Sequence, residues 1–366
     1  MHIELSRNEL TKKLELITRV SGKHATLPVL QCVLIKADAQ GIQCFGTNLE
    51  MGIRTSLEGE VIEEGVVAVP SAVLQQVVTL MHDERVVVRT EGEVLRVESR
   101  GSKSDIALFA SEEFPHIPEL VGKRERIDGA LFALGIRTVA FAVSQSTIKP
   151  ELGSVYVCQK KERSLTFVAT DSFRLVEKTV SQAHMTLENP LLIPQRNALE
   201  VAKILESIGS DPECVVGEGQ MAFYFKEGTY MTTRLTQGSF PDYTQILPKE
   251  FVTESTILAS DFQHALKMTN VFANKFLQVK MAFEADTRSL VISSESGEVG
   301  KTEERISASV EGEDLALSFN QRYLSDPLPH MPGDSIILKC AGVGRPMTME
   351  SVSENTIRYL VMPMNR

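Results

Sequence analysis

The sequence of 366 residues contains no long apolar run. Apolar stretches such as "ERVVVRT" and "DSIILKC" are far shorter than the roughly 18 residues that a membrane-spanning helix requires. The N-terminal "MHIELSRNEL" lacks the basic segment and the following apolar stretch of a signal peptide. We therefore expect a cytoplasmic protein with no membrane association.

Cysteine is scarce, and no two cysteines have the CxxC spacing of a zinc site or a redox motif. The five cysteines are Cys32, Cys44, Cys158, Cys214 and Cys340. We expect them to be reduced and to serve as small apolar core residues. The sequence predicts no metal and no cofactor.

Recognisable catalytic motifs are also lacking. The chain has no glycine-rich phosphate loop followed by Lys-Ser/Thr, no HExxH and no GxSxG. The segment "ATDSFRLV" combines Asp171, Ser172 and Arg174, but no histidine lies nearby to act as a base, and Asp-Ser pairs are common in turns. We predict a protein that is not an enzyme. An enzyme whose catalytic groups, such as Asp171 and Arg174, meet only in the fold remains an alternative.

The sequence does contain a threefold internal repeat. Residues 8–55, 129–179 and 260–308 each run from a helix-like segment into two strand-like segments, and Thr47 and Thr170 are 123 residues apart. A second motif also recurs as "GVVAVPSAVLQQVVTLM", "NPLLIPQRNALEVAKIL" and, more loosely, "EDLALSFNQRYLSDPL". The first two repeats close on Phe-Pro and the third on "YLVMPM".

This repetition predicts an α+β protein of three similar domains, at residues 1–121, 122–248 and 249–366. Each domain would consist of two halves, and each half would combine one helix with strands. Alternating patterns such as "VISSESGEV" favour antiparallel sheets with one face in water. A content of 43% apolar and 23% charged residues is typical of a folded chain.

Charge is distributed unevenly over the predicted elements. The six predicted helices span residues 7–20, 71–82, 130–143, 195–207, 261–270 and 320–330. They carry nine basic and six acidic residues, a net charge of +3, whereas the whole chain carries −10. Helices lining one surface would therefore attract a polyanion. The alternative is that exposed helix faces contain Lys and Arg because of helix propensity.

Several motifs together resemble the bacterial DNA polymerase III beta subunit family, the sliding clamps. They are "TLPVL" at 26–30, "VATDSFRL" at 168–175, "FPDYTQILP" at 240–248, "NKFLQVKM" at 274–281 and the terminal "VMPM". The resemblance covers the whole chain. It implies a head-to-tail homodimer that closes a ring around duplex DNA, with helices inside and sheets outside. Such a ring is not catalytic and tethers the polymerase by topology.

The resemblance also implies residue roles. Family members touch DNA through a basic loop where this chain has Lys23 and His24, and again near Lys149. The inward-facing helices would add Arg137, Arg196 and Lys203. The dimer interface would join Ile106 and Leu108 of one protomer to Val271 and Phe272 of the other. Alternatively, the predicted DNA-contacting residues are solvated loop charges, and the predicted interface residues are internal core positions.

A peptide-binding pocket between domains two and three is the last implication. Its predicted partners are the polymerase alpha subunit, the clamp loader, repair polymerases, mismatch-repair proteins and ligase. One buried Leu or Phe anchor would contribute roughly 1.5–3 kcal/mol, and methionines adapt to varied anchors. The predicted pocket residues are Leu152, Thr170, Ser172, Phe173, Arg174, Leu175, Pro241, Gln245, Ile246, Phe276, Val343, Arg345, Leu360, Val361, Met362, Pro363 and Met364.

Four places depart from the commoner family pattern. Ser172-Phe173 replaces a frequent Gly-His pair, Gln245 a frequent Arg, and Arg345 a small polar residue, and the chain ends in Asn365-Arg366. The preferred peptide could therefore differ from that of other members. A repeat-built, β-rich protein-binding scaffold that never encircles DNA is the alternative function.

Overall fold

The computed structural model describes residues 1–22, 27–181 and 185–364. Within these ranges the chain forms six α-helices. They are α1 (Arg7–Val20), α2 (Ser71–Leu80), α3 (Gly129–Val139), α4 (Gln195–Ile208), α5 (Ala259–Val271) and α6 (Gln321–Ser325). Short 3-10 turns occur at Pro28–Gln31, Ser111–Glu113, Ala140–Ala142, Tyr243–Ile246 and Leu328–His330.

All neighbouring strands in the described residues pair antiparallel. The strands are β1 (His2–Ser6), β2 (Cys32–Asp38), β3 (Gly41–Thr47), β4 (Met51–Leu57), β5 (Gly59–Glu63), β6 (Gly65–Pro70), β7 (Arg85–Glu91), β8 (Val94–Ser99), β9 (Ser102–Ala107), β10 (Glu125–Arg126), β11 (Ser154–Cys158), β12 (Ser164–Thr170), β13 (Arg174–Ser181), β14 (Leu191–Pro194), β15 (Glu213–Gly217), β16 (Gln220–Tyr224), β17 (Tyr230–Arg234), β18 (Thr253–Leu258), β19 (Gln278–Glu284), β20 (Ser289–Ser296), β21 (Gly300–Gly312), β22 (Leu315–Asn320), β23 (Ser335–Cys340), β24 (Met347–Ser351) and β25 (Ile357–Val361).

The chain divides into two compact units. Unit 1 comprises Met1–Ala133 and Arg196–Leu235, and contains a five-stranded sheet (β5-β1-β7-β8-β9) and an eight-stranded sheet (β10-β15-β16-β17-β4-β3-β2-β6). Helix α1 begins after Ser6, whose hydroxyl accepts a hydrogen bond from the Glu9 amide. Its core face of Leu10, Leu14 and Ile17 follows the spacing of an amphipathic helix.

Unit 2 comprises Leu134–Gln195 and Thr236–Arg366 and contains one twelve-stranded sheet. The strand order is β14-β11-β12-β13-β25-β24-β23-β18-β21-β20-β19-β22. Gly135 of α3 lies so close to the sheet that a Cβ atom placed there would be 2.4 Å from the ring of Phe167. A glycine is therefore required where this helix meets β12.

The predicted repeat is visible in two hairpins, at the level of individual hydrogen bonds. In unit 1 the Thr47 hydroxyl donates to the Met51 carbonyl and accepts from the Leu49 amide. In unit 2 the Thr170 hydroxyl donates to the Arg174 carbonyl and accepts from the Ser172 amide. Both central residues have left-handed backbones, with φ of 73° at Leu49 and 77° at Ser172.

The equivalence of Pro70 and Pro194 also holds, because each ends a strand that leads directly into a helix. Prediction of the sixth helix was wrong in length. Helix α6 ends at Ser325 instead of continuing to residue 330, and a separate 3-10 turn follows at Leu328–His330. Pro327 explains the break, since proline has no amide hydrogen to donate within a helix. Asp326 then lies outside the helix, and the six observed helices carry a net charge of +4.

Candidate functional site

The hairpin between β12 and β13 presents the most distinctive side chains of unit 2. The Asp171 carboxylate accepts hydrogen bonds from the amides of Phe173 and Arg174, both at 3.0 Å. These bonds fix a turn in which Ser172 takes a left-handed conformation. The turn leaves the Phe173 side chain 61% exposed, next to the fully buried Leu175.

Arg174 is the buried centre of this region, with 8% exposure. Its guanidinium donates to Asp171 at 3.0 Å, to Asp326 at 2.5 Å and to the Phe141 carbonyl at 2.9 Å. It also lies over the ring of Tyr323, 4.6 Å from the centroid. Burial disfavours the charged form, but the hydrogen bond with Asp326 and the nearby negative charges raise the pKa of Arg174 overall. Arg174 therefore stays charged and links residues far apart in sequence.

An open cavity of about 780 Å³ lies beside this arginine. Acidic, basic, amide and aromatic side chains all contribute to its wall, so it is a polar site as much as an apolar one. The lining residues are Phe141, Val143, Ser144, Gln145, Asp171, Phe173, Arg174, Gln195, Arg322, Tyr323 and Asp326. Of the predicted pocket residues, Phe173 and Arg174 belong to this wall.

A buried apolar cluster consists of Val168, Leu175, Tyr243 and Leu360. Four partly buried residues pack against it: Tyr156, Phe240, Leu247 and Met362. Strand β13 pairs with β25 so that Leu175 lies opposite Leu360 and Arg174 opposite Val361. The structure thus brings together three predicted pocket residues, Leu175, Leu360 and Met362, from the middle and the end of the chain.

The C-terminal run is a strand with an ordered extension. After β25 the Met362 amide donates to the Phe173 carbonyl at 2.8 Å, and the Met364 amide donates to the Ser318 carbonyl at 2.7 Å. Met362, Pro363 and Met364 are half-buried. Leu152, Thr170 and Val361 are buried, as are Leu175 and Leu360.

Residues 240–247, here called connector 2, supply Pro241, Gln245 and Ile246. The Asp242 carboxylate accepts from the amide of Thr244 and from the side-chain amide of Gln245, at 3.1 and 2.9 Å. Ile246 is half exposed. Three more predicted pocket residues lie on two turns: Phe276 in the turn before β19, and Val343 and Arg345 between β23 and β24. Phe276 and Val343 are exposed.

The predicted DNA-contacting residues have varied surroundings. Lys23 and His24 lie outside the described residues. Lys149 and Arg196 are exposed, whereas Arg137 is half-buried on α3. Lys203 on α4 pairs with Glu200 at 2.6 Å.

The predicted interface residues differ in exposure. Ile106 is buried in β9 opposite Leu95, as a core position would be. Leu108 is half-buried just beyond β9, and its amide donates to the Glu93 carbonyl at 3.1 Å. At the end of α5, Val271 is 64% exposed and Phe272 is half-buried.

In the described parts of the chain no group of three His, Cys, Asp or Glu residues is arranged to hold a metal ion. None of the helices there is long and apolar enough to span a membrane. All five cysteines are free and buried, as expected, and burial raises the pKa of Cys44 to about 12.

Sequence reasoning missed several residues of the site. Asp326, Phe141 and Tyr323 complete the surroundings of Arg174, and Glu177 binds Tyr243 of connector 2. Only Tyr243 had a signal, since it lies in the family motif "FPDYTQILP". The other contacts join strands and helices that are distant along the chain.

The fold matches solved DNA polymerase III beta subunits over its full length. The beta subunit of Thermotoga maritima superposes with a TM-score of 0.93 at 23% identity, covering 100% of this chain and 99% of the other. The beta chain of Streptococcus pneumoniae gives 0.93 at 23% identity with full coverage of both. These similarities show that the chain has the fold of the DNA polymerase III beta subunits.

Sequence comparison gives the family directly. The N-terminal, central and C-terminal domain models of the DNA polymerase III beta subunit match residues 1–118, 126–242 and 244–365. The beta sliding clamp of Synechococcus elongatus is 27% identical over 373 residues, and that of Bacillus subtilis 26% over 378, each covering 100% of this chain and 99% of the relative. The chain belongs to the DNA polymerase III beta subunit family.

Proposed function

We propose that this chain is a DNA sliding clamp, in which two copies join head to tail and enclose duplex DNA. The main support for this proposal is that three beta-subunit domain models match in order along nearly the entire chain. A closed ring would tether the replicative polymerase without any chemical step, so we propose a non-catalytic processivity factor that works in the cytoplasm. The proposed domain boundaries remain 1–121, 122–248 and 249–366, close to the ends of the matched ranges.

Two strand edges support the head-to-tail dimer. Strand β9 is the last strand of its sheet, and Leu108 follows it. In β21, the segment from Ala308 to Gly312 pairs with β18, whereas residues 300–307 pair only with β20 among the described strands. A free edge invites pairing with another chain, and two different edges on one protomer suit a heterologous, closed ring. Exposed Val271 would add apolar contact.

Contacts with DNA would be weak and independent of sequence. The observed helices carry a net charge of +4 in a chain of net charge −10, which favours a polyanion near the helices over other surfaces. We propose phosphate contacts from Lys23, His24, Arg137, Lys149, Arg196 and Lys203.

The peptide site would lie around Phe173 and the buried cluster of Leu175 and Leu360. Exposed Phe173 and Ile246 offer apolar surface, and half-buried Met362 and Met364 offer side chains that adapt to different anchors. We propose that the polymerase alpha subunit, the clamp loader and repair factors compete there. Phe276, Val343 and Arg345 would form an outer part of this site.

Sedimentation velocity on a Val271→Asp variant tests the ring. A charge on this exposed position would be buried unpaired in the interface, so the variant should sediment as a monomer at concentrations where the parent is a dimer. Val121→Asp is the control, because Val121 is 90% exposed and belongs to neither proposed edge. An unchanged dimer for Val271→Asp would refute this interface.

A further inference from the structure

Contacts among three aromatic rings hold connector 2 against the sheet of unit 2. Phe240 stacks on Tyr156 of β11, with ring centroids 4.6 Å apart and planes 12° apart. Tyr243 meets both rings edge-on, at 6.5 and 6.3 Å. Because Tyr243 is 6% exposed and belongs to the buried cluster with Leu175 and Leu360, it is the deepest anchor of the connector.

The hydroxyl of Tyr243 has a specific charged partner. It donates to Glu177 Oε2 at 2.5 Å, and the ammonium of Lys160 donates to the same oxygen at 2.6 Å. Lys160 also lies 4.8 Å from the centroid of the Tyr243 ring. Burial, followed by the hydrogen bond and charge of Glu177, raises the pKa of Tyr243, so its hydroxyl remains a donor. We call Lys160, Glu177 and Tyr243 the connector cluster.

The connector cluster lies next to proposed peptide-binding residues along the chain. Glu177 is two residues from Leu175 on β13, and Tyr243 begins the 3-10 turn that ends at Ile246. Tyr243 and Ile246 are the first and last residues of one short 3-10 turn, so anchoring of Tyr243 also fixes the backbone that carries Ile246. Tyr243 is buried, whereas Ile246 is half exposed and free to contact a ligand.

The preceding connector, residues 114–124 in unit 1, is fastened in a different way. There the tyrosines belong to the sheet and bind the backbone of the connector: Tyr230 donates to the Pro118 carbonyl at 2.9 Å, and Tyr224 donates to the Leu120 carbonyl at 2.5 Å. Arg124 covers the Tyr224 ring at 3.8 Å. This connector therefore offers a matched control for removing a tyrosine hydroxyl.

We propose that the connector cluster positions Pro241 and Ile246 for peptide binding, so that Glu177, Lys160 and Tyr243 are positioning residues of the peptide site. The proposal rests on the proposed function, because it assumes that a partner peptide binds beside connector 2. None of the three side chains has to touch the peptide. Their effect is to restrict the connector to the conformation that the peptide recognises, which lowers the entropy cost of binding.

Tyr243→Phe tests the proposal with the smallest change, since the ring stays in the cluster and only the hydroxyl is lost. The probe is a fluorescein-labelled peptide with Leu and Phe anchors, compared with the same peptide in which both anchors are Ala. Loss of one charge-assisted hydrogen bond should weaken binding of the anchored peptide about three- to tenfold. Tyr224→Phe should bind as the parent does, and Glu177→Gln, which keeps an acceptor, should fall between the parent and Tyr243→Phe.

A second readout separates positioning from general stability. Amide hydrogen exchange at residues 243–247 should be faster in Tyr243→Phe than in the parent, with no change at residues 117–120. Tyr243→Phe should also reduce the affinity for the anchor-free peptide less than it reduces the affinity for the anchored peptide. Equal affinity of Tyr243→Phe and the parent, or an equal loss for both peptides, would overturn the proposal. If the parent itself does not bind the anchored peptide, the proposed peptide site fails and this proposal fails with it.

Discussion

Ser172 shows at the scale of one residue how the hairpin between β12 and β13 holds its shape. Its φ of 77° lies in the left-handed region, which side chains other than glycine disfavour. The Asp171 carboxylate compensates by accepting two backbone amides of the turn. Phe173 is thereby presented to solvent on a turn that is ordered but strained.

Ser172→Gly should consequently stabilise the fold. Relief of the left-handed strain outweighs the greater freedom of glycine in the unfolded chain, and we expect a gain of about 0.5–1 kcal/mol in the free energy of unfolding. Urea denaturation measures it. Ser172→Ala, which retains the strain, is the control and should give no gain; equal effects of the two variants would contradict the account.

Arg174 is the residue whose loss should cost most. Replacement by Met leaves Asp171 without Arg174 and Asp326 with only the more distant and exposed Arg322. We expect a loss of about 3–5 kcal/mol in the free energy of unfolding, measured by urea denaturation, as for other broken buried ion pairs. Arg322 contacts Asp326 at 3.7 Å but is largely exposed. Arg322→Met should therefore change stability by less than about 1 kcal/mol. A small effect for Arg174→Met would show that its hydrogen bonds contribute little.

At the scale of elements, the features that depend on a few neighbouring residues were predictable from the sequence. The helix starts after Pro70 and Pro194 were predictable because the motif around each proline recurs along the chain. The turns after Thr47 and Thr170 were predictable because turn chemistry acts over a few residues. The end of α6 at Ser325 was missed although Pro327 was visible in the sequence. The pair Arg174–Asp326 was not predictable, since 152 residues separate its members.

The C-terminal extension after β25 carries the half-buried Met362 and Met364 of the proposed peptide site. Deleting residues 362–366 should leave a folded dimer, because β25 and its pairing with β13 and β24 remain. Binding of the anchored peptide, followed by fluorescence anisotropy, should weaken at least about tenfold because the methionine surface is lost. Deletion of only residues 365–366 is the control. Normal peptide binding by the longer deletion would mean that the extension has a structural role only.

For the whole molecule, the family and the fold class were predictable from the sequence. The exposure of individual residues was not, because it depends on tertiary packing. Ile106 and Val271 were both predicted at the dimer interface, yet Ile106 is buried beside Leu95 whereas Val271 is 64% exposed. Repeats and motifs are visible as patterns along the sequence. Burial does not, because it depends on which distant strand covers a side chain.

Topological retention on DNA shows whether the protein encloses the duplex. The protein is loaded onto nicked circular DNA with a cognate clamp loader, and the circle is then cut once. A ring that encloses DNA should stay bound to the intact circle and should slide off the ends once the circle has been cut. Its retention should depend little on the DNA sequence. Release at the same rate from circular and linear DNA would show that the protein does not enclose DNA, and would favour a scaffold that binds without encircling.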